Sequence, residues 1–303
     1  AWPTRRVRGG AGATPAPTPD PTPRPTAMPA IDRFATIAGE DGRFTILILG
    51  SDARRNLAGE RTDAIMVATI DPGSGRVAMA SLPRDTVSVP IGPGRTFASP
   101  NRINGLLQAF ELDGADRPEA LRKVRKAIAY AFDIEIDAYA LIGFRGLERL
   151  VDRIGGVTVT LDAPLVDPTM HLAKRGLRLK AGPNDLAGNE ALAFSRTRHS
   201  DSDYQRVARQ QQLLAAIGRK VAEGGTDALP ELAAYALTQV ETDLPLAALP
   251  VLAELGARAR WKTFRSVVLG PSTFAGPGPL LYTIALRLDP VRATMDRLFG
   301  PVG

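Results

Sequence analysis

The chain has 303 residues, 44% hydrophobic and 23% charged, which is enough to bury the core of one large domain or two smaller ones. Its net charge of +6 and pI near 9.9 favour an anionic partner such as a nucleic acid, a phospholipid head group or a phosphorylated substrate. The absence of cysteine excludes disulfides, thiolate catalysis and iron–sulfur clusters. Aromatic residues, at 6%, are too few for the stacking platforms of single-strand binders, and no zinc-finger or basic-zipper motif occurs.

The N-terminal part of the chain has the composition of a linker. Residues 11–29 are rich in Pro, Thr and Ala and have no apolar periodicity, which predicts an extended, solvated segment. One interpretation is a disordered tail, and the other is a stalk that tethers the folded part to a membrane segment upstream. No stretch of the given sequence is long and apolar enough to span a bilayer.

The elements of the folded part begin with a strand. A continuous apolar run at residues 44–49 predicts a buried strand, and the turn signal DPGSG joins residues 64–70 and 76–82 in an antiparallel hairpin. The patterns that follow predict helices at 104–112, 118–132 and 145–154 and a strand at 157–161. Strands that alternate with helices, together with an antiparallel hairpin, predict an α/β fold in which helices cover both faces of a mixed sheet. After about Val221 the chain is rich in Ala and Leu and is expected to be helical.

Three segments far apart in the sequence combine arginines with aspartates, and each lies beside an apolar run. They are GSDARRNLAGERTD (50–63), SLPRDT (81–86) and SRTRHSDSDYQRVARQQ (195–211). The guanidinium group presents a rigid fork of donors that matches phosphate oxygens, and paired carboxylates suit Mg²⁺. If the fold brings the three segments together, they form a pyrophosphate site.

The first segment carries a pair of carboxylates at two strand ends. Asp52 lies just past the first strand, and Asp63 begins the next one. Ligand-facing residues of α/β sheets are usually found at such ends, so the pair could hold Mg²⁺. The alternative is that Asp52 and Asp63 form surface salt bridges with Arg54 and Arg61.

In the second segment and at the start of the third, arginines are expected at one rim. Pro83 ends a strand and directs Arg84 and Asp85 to that rim, although alone they could be a loop ion pair. Arg196 and Arg198 alternate, so in an extended stretch both would point to the same side.

The rest of the third segment predicts a helix that begins at a polar cavity. Ser202 and Gln205 have the spacing of an N-terminal cap, and Arg206 and Gln210 then share a face that becomes apolar at 213–221. An inward stripe that starts with Arg and Gln suggests a first turn that borders an anion. The alternative is a basic, solvated surface.

Seven stretches, in this order, resemble the LytR-CpsA-Psr family of bacterial cell-wall enzymes, and the resemblance covers residues 44–221. The stretches are ILILGSDAR, RTDAIMVATID, VAMASLPRDT, NRINGL, LIGFRGLERLVDRIGGVTVTLDAPL, LKAGPNDLAGNEALAFSRTR and DYQRVARQQQLLAAI. The resemblance implies a three-layer α/β/α sandwich with a central mixed sheet, on the extracytoplasmic face of the membrane and tethered by an N-terminal transmembrane helix absent from this chain. We divide the chain into a Pro/Thr-rich linker (1–33), a catalytic domain (34–224) and a C-terminal helical extension (225–303) that packs on the catalytic domain or follows it.

The activity implied by the resemblance is the transfer of a glycopolymer from an undecaprenyl-pyrophosphate carrier to peptidoglycan. The reaction would depend on Mg²⁺, form a phosphodiester and release prenyl phosphate. Two other hypotheses use the same residues: a lipid-pyrophosphate hydrolase, and a non-catalytic binder of polyprenyl phosphate or anionic wall polymer. Carboxylates near an anion weaken its binding unless a metal bridges them, which argues against the binder. A nucleic acid is not expected as a partner.

The resemblance also implies roles for individual residues. The metal would be held by Asp52 and Asp63, and with Arg84 and Arg198 these form the expected catalytic set. The residues expected to bind the pyrophosphate are Arg54, Arg61, Arg84, Arg196, Arg198, Arg206 and Gln210. Asp85, Asn104 and Asp203 belong to the same motifs, and Arg102 stands where the family usually has Lys. Candidates for an apolar groove that holds the prenyl tail are Leu106, Phe110, Ile128, Phe132 and Leu147, whose spacing equally fits a simple core.

Overall fold

The computed structural model describes residues 34, 36–52, 60–98, 100–170, 176–199, 202–224, 229–271 and 273–299. The strands are β1 (Phe44–Ser51), β2 (Thr62–Ile70), β3 (Val77–Ser81), β4 (Thr86–Val87), β5 (Val89–Gly92), β6 (Arg95–Phe97), β7 (Ala138–Gly143), β8 (Val157–Leu161), β9 (Leu165–Asp167), β10 (Leu177–Leu179), β11 (Gly182–Leu186), β12 (Val240–Thr242), β13 (Arg265–Val268), β14 (Ala275–Pro277) and β15 (Ile284–Leu286). The α-helices are α1 (Leu106–Leu112), α2 (Arg117–Phe132), α3 (Phe144–Arg153), α4 (Gly188–Arg196), α5 (Asp203–Glu223), α6 (Leu229–Leu237), α7 (Leu249–Arg258) and α8 (Leu288–Phe299).

The central sheet is mixed, as the sequence predicts. Its strand order is β12-β7-β1-β2-β3-β13. The hairpin partners β2 and β3 are antiparallel, and β1 is antiparallel to β2 but parallel to β7. The turn between β2 and β3 is closed by Asp71, which accepts backbone hydrogen bonds from Gly73 and Ser74. These bonds and the Ser74 hydroxyl hold the pKa of Asp71 below its ordinary value, although burial opposes that shift.

Helices cover one face of this sheet with the largest apolar core. The alternating residues Leu47 and Leu49 of β1 and Ile65 and Val67 of β2 point to this face. They pack against side chains of α1, α2 and α8, namely Leu106, Leu107, Phe110, Leu121, Val124, Ile128, Phe132, Val291, Met295 and Phe299. The helix predicted at 118–132 is present as α2, and Asp116 caps it by accepting from the Glu119 N–H at 2.8 Å.

Helices α3, α4 and α5 lie over the opposite face. There Met66, Ala68 and Met79 pack against Ala215 of α5, while α3 and α4 pack with α5 and β8 in a separate cluster. The molecule therefore has the three layers, helix, sheet and helix, that the sequence predicts. No helix in the described part of the chain has the length and hydropathy needed to cross a bilayer.

The region after residue 224 differs from the expected helical extension. It contributes α6, α7 and α8, but also β12 and β13, which form the two edges of the central sheet. β12 pairs with β7 and β13 pairs with β3, so each is part of the same sheet as β1. The strands are three and four residues long, too short for their alternation to stand out from an Ala- and Leu-rich background. The residues before and after position 224 thus share one sheet.

Candidate active site

A cavity of about 540 Å³ lies between the sheet and helices α3, α4 and α5. Its polar residues are grouped where β1 and β2 meet the N-terminus of α5, and they come from all three Arg/Asp segments. They are Asp52, Asp63, Arg84, Ser195, Arg196, Arg198, Arg206 and Gln210. The remaining walls are mostly apolar. The fold thus brings the three segments together, as their shared chemistry predicts.

Asp52 and Asp63 reach the cavity from neighbouring strands. Asp52 follows β1 and Asp63 is the second residue of β2, and the two strands pair antiparallel with a bulge at Gly50 and Ser51. The strands approach closely here, because a Cβ on Gly50 would lie 2.8 Å from the Cβ of Ala64. Asp52 is fixed by Arg61, whose backbone N–H donates to Asp52 Oδ1 at 3.2 Å.

Asp63 is held by two side chains. Arg84 Nη1 donates to Asp63 Oδ2 at 2.6 Å, and Asn104 Nδ2 donates to Oδ1 at 3.0 Å. Arg84 also lies beside Asp85, with Nε to Oδ2 at 3.7 Å. Burial opposes the charge of Arg84, but Asp63, Asp85 and Asp203 outweigh it and raise the pKa of Arg84 above its ordinary value.

The first turn of α5 carries the most buried arginine of the site. Ser202 caps the helix by accepting from the Gln205 N–H, as expected from the sequence. Arg206 is only 3% exposed, and its Nη2 donates to Asp203 Oδ2 at 2.9 Å. Burial lowers the pKa of Arg206 to about 10, with Arg198 and Arg84 adding to the effect and Asp203 opposing it. Arg206 is thus a desolvated cation that is paired with Asp203 and lies close to two further arginines.

Two guanidinium nitrogens of the site lack a hydrogen-bond partner. Within the described residues, Nε of Arg84 and Nε of Arg206 are buried and donate to no acceptor among the protein atoms. Buried donors in folded proteins are normally satisfied, so Arg84 and Arg206 are incompletely paired in this structure. The four arginines that line the same cavity, Arg84, Arg196, Arg198 and Arg206, favour an anion rich in oxygen acceptors.

Side chains of α5 hold the segment that carries Arg196 and Arg198 by hydrogen bonds to its backbone. Arg209 is buried and donates to the carbonyl oxygens of Phe194 and Thr197, at 3.2 and 2.6 Å. Gln210 donates to the Ser195 carbonyl at 3.2 Å. The expectation of an extended stretch through Arg196 is wrong, because Arg196 is the last residue of helix α4, although both arginines still line the cavity.

A sequence model of a known protein family matches most of the chain. The sequence model of the LytR_cpsA_psr family matches residues 25–267, which include every part of the cavity wall. The chain belongs to this family.

Two proteins of similar sequence are named as teichoic acid transferases. A polyisoprenyl-teichoic acid–peptidoglycan teichoic acid transferase TagU of Bacillus cereus (strain AH820) is 32% identical over 178 residues, which are 58% of this chain and 52% of the relative. The TagU of Halalkalibacterium halodurans is 32% identical over 183 residues, 59% of this chain and 54% of that protein. The chain thus spans about half the length of the curated relatives it matches.

Solved structures confirm the fold. The crystal structure of B. subtilis TagV has a TM-score of 0.67 and 25% identity, and the match covers 86% of this chain and 98% of that one. A structure described as TagT bound to LIIa-WTA has a TM-score of 0.64 and 24% identity, covering 84% and 89%. The three-layer α/β/α fold expected of a LytR-CpsA-Psr protein is therefore confirmed.

Several residues assigned by resemblance lie outside the walls of this cavity. Arg61 is exposed and lines a second cavity on the other face of the sheet. Asp85 pairs with Arg102 at 2.6 Å, and Asn104 supports Asp63. Asp203 bridges Arg206 and Arg198, the latter through Nε at 3.3 Å. Arg54 lies outside the described residues.

The carboxylates fit a magnesium ion that also binds substrate oxygens. Asp52 and Asp63 line one cavity, and Mg²⁺ typically takes one or two protein carboxylates and fills its shell with water and phosphate oxygens. Among the residues that the structure describes, no group of three or more Asp, Glu or His side chains is placed to hold a metal alone. The donor set therefore suits a metal that arrives with, or is completed by, a phosphorylated substrate.

The apolar part of the cavity corrects the predicted prenyl groove. Of the five candidates only Leu147 lines the cavity; Leu106, Phe110, Ile128 and Phe132 belong to the core on the other face of the sheet. The walls are formed instead by Ile46, Ile48, Met66, Ala140, Ile142, Phe144, Leu147, Leu150, Met170, Leu192, Leu213, Leu214, Ile217 and Val240. Alternation along β1 separates Ile46 and Ile48 from Leu47 and Leu49, but a doubly covered strand gives no sequence signal for which face holds a cavity.

Proposed function

We propose that this protein transfers a glycopolymer from a polyprenyl-pyrophosphate carrier to peptidoglycan, on the extracytoplasmic face of the membrane. The proposal is supported by its TagU relatives, which are named polyisoprenyl-teichoic acid–peptidoglycan teichoic acid transferases. The observation that carries it is one cavity that groups four arginines with two aspartates at one end and has mostly apolar walls elsewhere. Such a cavity matches a lipid pyrophosphate, whose head is anionic and whose tail is a hydrocarbon.

The arginines bind and polarise the pyrophosphate. Arg84, Arg198 and Arg206 present guanidinium groups to the same end of the cavity, where they donate to phosphate oxygens. Charge that develops on the phosphoryl oxygens during transfer is stabilised by preorganised donors in a desolvated site. Arg196 stacks on the Phe144 ring, 4.2 Å from its centroid, at the border between the cationic and apolar parts.

The two carboxylates have two roles, to hold the metal and to accept the proton of the attacking hydroxyl. Asp52 and Asp63 would hold Mg²⁺, which when bound neutralises the pyrophosphate and stabilises the leaving phosphate. Asp63 keeps its orientation through Arg84 and Asn104. A sugar hydroxyl that attacks phosphorus must lose its proton, and one carboxylate of this pair accepts it.

The test is turnover of a defined substrate. Purified protein is incubated with a prenyl-pyrophosphate-linked glycopolymer, peptidoglycan and Mg²⁺, and both the polymer joined to peptidoglycan and the released prenyl phosphate are measured. We expect Asp63→Ala and Arg198→Ala to reduce the rate at least 10²-fold, on the order of what removing one transition-state donor costs. The matched control Arg178→Ala changes an exposed arginine of β10 away from the cavity and is expected to keep full activity.

Each result has a distinct meaning. Unaltered turnover in both site variants, with folding verified by circular dichroism, would contradict the assignment of the cavity. Release of prenyl phosphate without polymer on peptidoglycan would indicate the hydrolase instead. Tight binding of the lipid without any product would indicate that the protein is a non-catalytic binder of polyprenyl phosphate. Mass spectrometry of lipid extracted from the purified protein gives an independent check, since we expect a co-bound prenyl phosphate.

A further inference from the structure

A second cavity, of about 430 Å³, lies on the face of the sheet opposite the first one. It is formed by the loop before α1, by α1 itself and by the end of β6. Its chemistry is mixed: side-chain amides from Asn101 and Gln108, guanidinium groups from Arg61 and Arg102, and the ring of Phe97. This composition differs from the apolar walls of the first cavity and does not suit a hydrocarbon tail.

Three contacts join the second cavity to the phosphate site. Asn104 lines the second cavity and donates to Asp63, which lines the first, at 3.0 Å. The backbone N–H of Arg61 donates to Asp52, the other carboxylate, at 3.2 Å. The third contact runs from Arg102 through Asp85 to Arg84.

Arg102 reaches the same site through a carboxylate. It pairs with Asp85 at 2.6 Å, and Asp85 lies 3.7 Å from Nε of Arg84. Asn104 and Arg61 thus contact the two carboxylates that line the first cavity, and Arg102 contacts the neighbour of Arg84.

The two cavities approach the carboxylates from opposite faces of the sheet. Ile46, Ile48 and Met66 place the apolar cavity beneath α5, whereas Asn104 and Gln108 belong to the layer that packs on Leu47 and Leu49. In phosphoryl transfer the attacking and leaving oxygens are roughly in line through phosphorus. If prenyl phosphate leaves toward the apolar cavity, the attacking hydroxyl arrives from the side of the second one.

We propose that the second cavity binds the acceptor glycan of peptidoglycan and delivers its hydroxyl to the pyrophosphate; this rests on the proposed function. Amides bind the hydroxyl and acetamido groups of sugars, an aromatic ring packs on their apolar C–H face, and the exposed Arg61 suits their carboxylates. The acceptor oxygen bonds to the phosphorus that carries the glycopolymer, and the bond from that phosphorus to the bridging oxygen breaks. Prenyl phosphate leaves with the electron pair, and the hydroxyl proton passes to a carboxylate at the junction.

The experiment separates the acceptor from the donor. Gln108→Ala removes one amide from the second cavity, and Ala109→Phe fills part of its volume from the same helix. Initial rates are measured against soluble, uncrosslinked peptidoglycan strands at saturating donor, and then against donor at fixed acceptor. We expect the acceptor KM to rise about fivefold in Gln108→Ala, equivalent to about 1 kcal/mol for one lost hydrogen bond, and more in Ala109→Phe, while the donor KM is unchanged.

Matched substitutions control for folding and for helix effects. Gln212→Ala on α5 and Ala234→Phe on α6 change exposed positions that line neither cavity, and both are expected to keep the acceptor KM of the unmodified protein. Thermal melts of all four variants verify the fold. Titration of the same soluble strands, followed by NMR, measures acceptor binding without turnover, and both cavity variants are expected to weaken it.

The outcomes keep the two proposals apart. If the unmodified protein joins no polymer to peptidoglycan, the proposed function fails, while the titration still tests the cavity. If transfer occurs but both cavity variants have the acceptor KM and the acceptor affinity of the unmodified protein, the proposed acceptor site is overturned and the proposed function stands. A rise in the donor KM instead would place the glycopolymer of the donor in this cavity and would also overturn the proposal.

Discussion

Asp63 has both carboxylate oxygens engaged by side chains from different parts of the chain. Arg84 comes from the segment after β3 and Asn104 from the turn before α1, so the orientation of Asp63 depends on three segments at once. By strand alternation Asp63 shares the side of Ile65 and Val67, yet it also borders the apolar cavity on the other side. A carboxylate at this boundary can contact two ligands that reach it from opposite faces of the sheet.

Arg206 is a buried cation whose charge is unfavourable in the ligand-free protein. Its burial beside Arg198 and Arg84 disfavours the cation, and an anion in the cavity relieves that cost. We therefore expect inorganic pyrophosphate with Mg²⁺ to raise the melting temperature of the protein. At a concentration 100 times its Kd, a ligand stabilises by about 2.7 kcal/mol. In Arg206→Met the shift is expected to fall to less than half, as measured by differential scanning fluorimetry.

The control for this experiment is Arg178→Met, which changes an exposed arginine outside the cavity and is expected to keep the full shift. Equal shifts in all three proteins would mean that pyrophosphate binds elsewhere.

A second titratable residue affects the stability of the fold away from the site. Burial, reinforced by Asp41 and Glu135 and opposed by the Thr45 N–H and Arg125, raises the pKa of Asp137 to about 7. The unfolded value is near 3.8, so between pH 4 and 7 the folded state binds more protons and stability falls as pH rises. From pH 5 to pH 8 we expect a loss on the order of 2 kcal/mol from this group.

Urea unfolding at pH 5 and pH 8 measures the effect. Asp137→Asn keeps an oxygen that can accept from the Thr45 N–H, now bonded at 2.7 Å, and is expected to remove most of this pH dependence. Asp296→Asn, at an exposed position of α8, should leave it intact. A pH dependence in Asp137→Asn as steep as in the unmodified protein would contradict the assignment.

At the scale of elements, long periodic patterns predicted the structure well and short ones did not. The helix at 118–132, the hairpin and the cap at Ser202 are present because their signals are local: apolar spacing, a turn sequence and a capping side chain. Strand β7, the parallel partner of β1, carries no such signal, since AYALIG fits a helix or a strand. The edge strands β12 and β13 were missed for the same reason.

Helix α5 connects the site to the body of the molecule, and its fit depends on one glycine. A Cβ on Gly218 would lie 2.4 Å from ring atoms of Trp261. Gly218→Ala should gain about 1 kcal/mol of helix propensity but lose more through overpacking, for a net destabilisation of about 1 kcal/mol. Chemical denaturation measures the change, and the Trp261 fluorescence reports the displacement of the ring.

The chain offers a matched control in Gly256→Ala on α7, where a Cβ meets nothing within 4 Å. We expect that variant to be as stable as the unmodified protein or up to about 1 kcal/mol more stable. If both substitutions stabilise equally, the close contact between Gly218 and Trp261 does not limit the packing of α5.

At the scale of the whole molecule, the order of the Arg/Asp segments predicted their convergence, but not the shape of the cavity. Asp52, Arg84 and Arg206 meet because strand ends and a helix N-terminus share one rim of the sheet. The position of the apolar part of the cavity could not be predicted from the sequence, because both faces of β1 carry large aliphatic residues. Which face is filled by core and which is left open depends on how α3, α4 and α5 pack over it.

The shared sheet leads to a prediction about truncation. A chain that ends at residue 224 keeps every described cavity residue except Val240 but loses both edge strands. It also loses Leu269, Val291, Met295 and Phe299 from the main core, and the Val267 carbonyl to which the buried Gln211 donates at 2.9 Å. Exposing that much apolar surface exceeds the marginal stability of a folded domain. We therefore expect the shortened chain to show no cooperative thermal transition and rapid proteolysis, whereas the full chain shows both a sharp transition and a resistant core. A cooperative melt of the shortened chain would mean that the region after residue 224 is a separate extension.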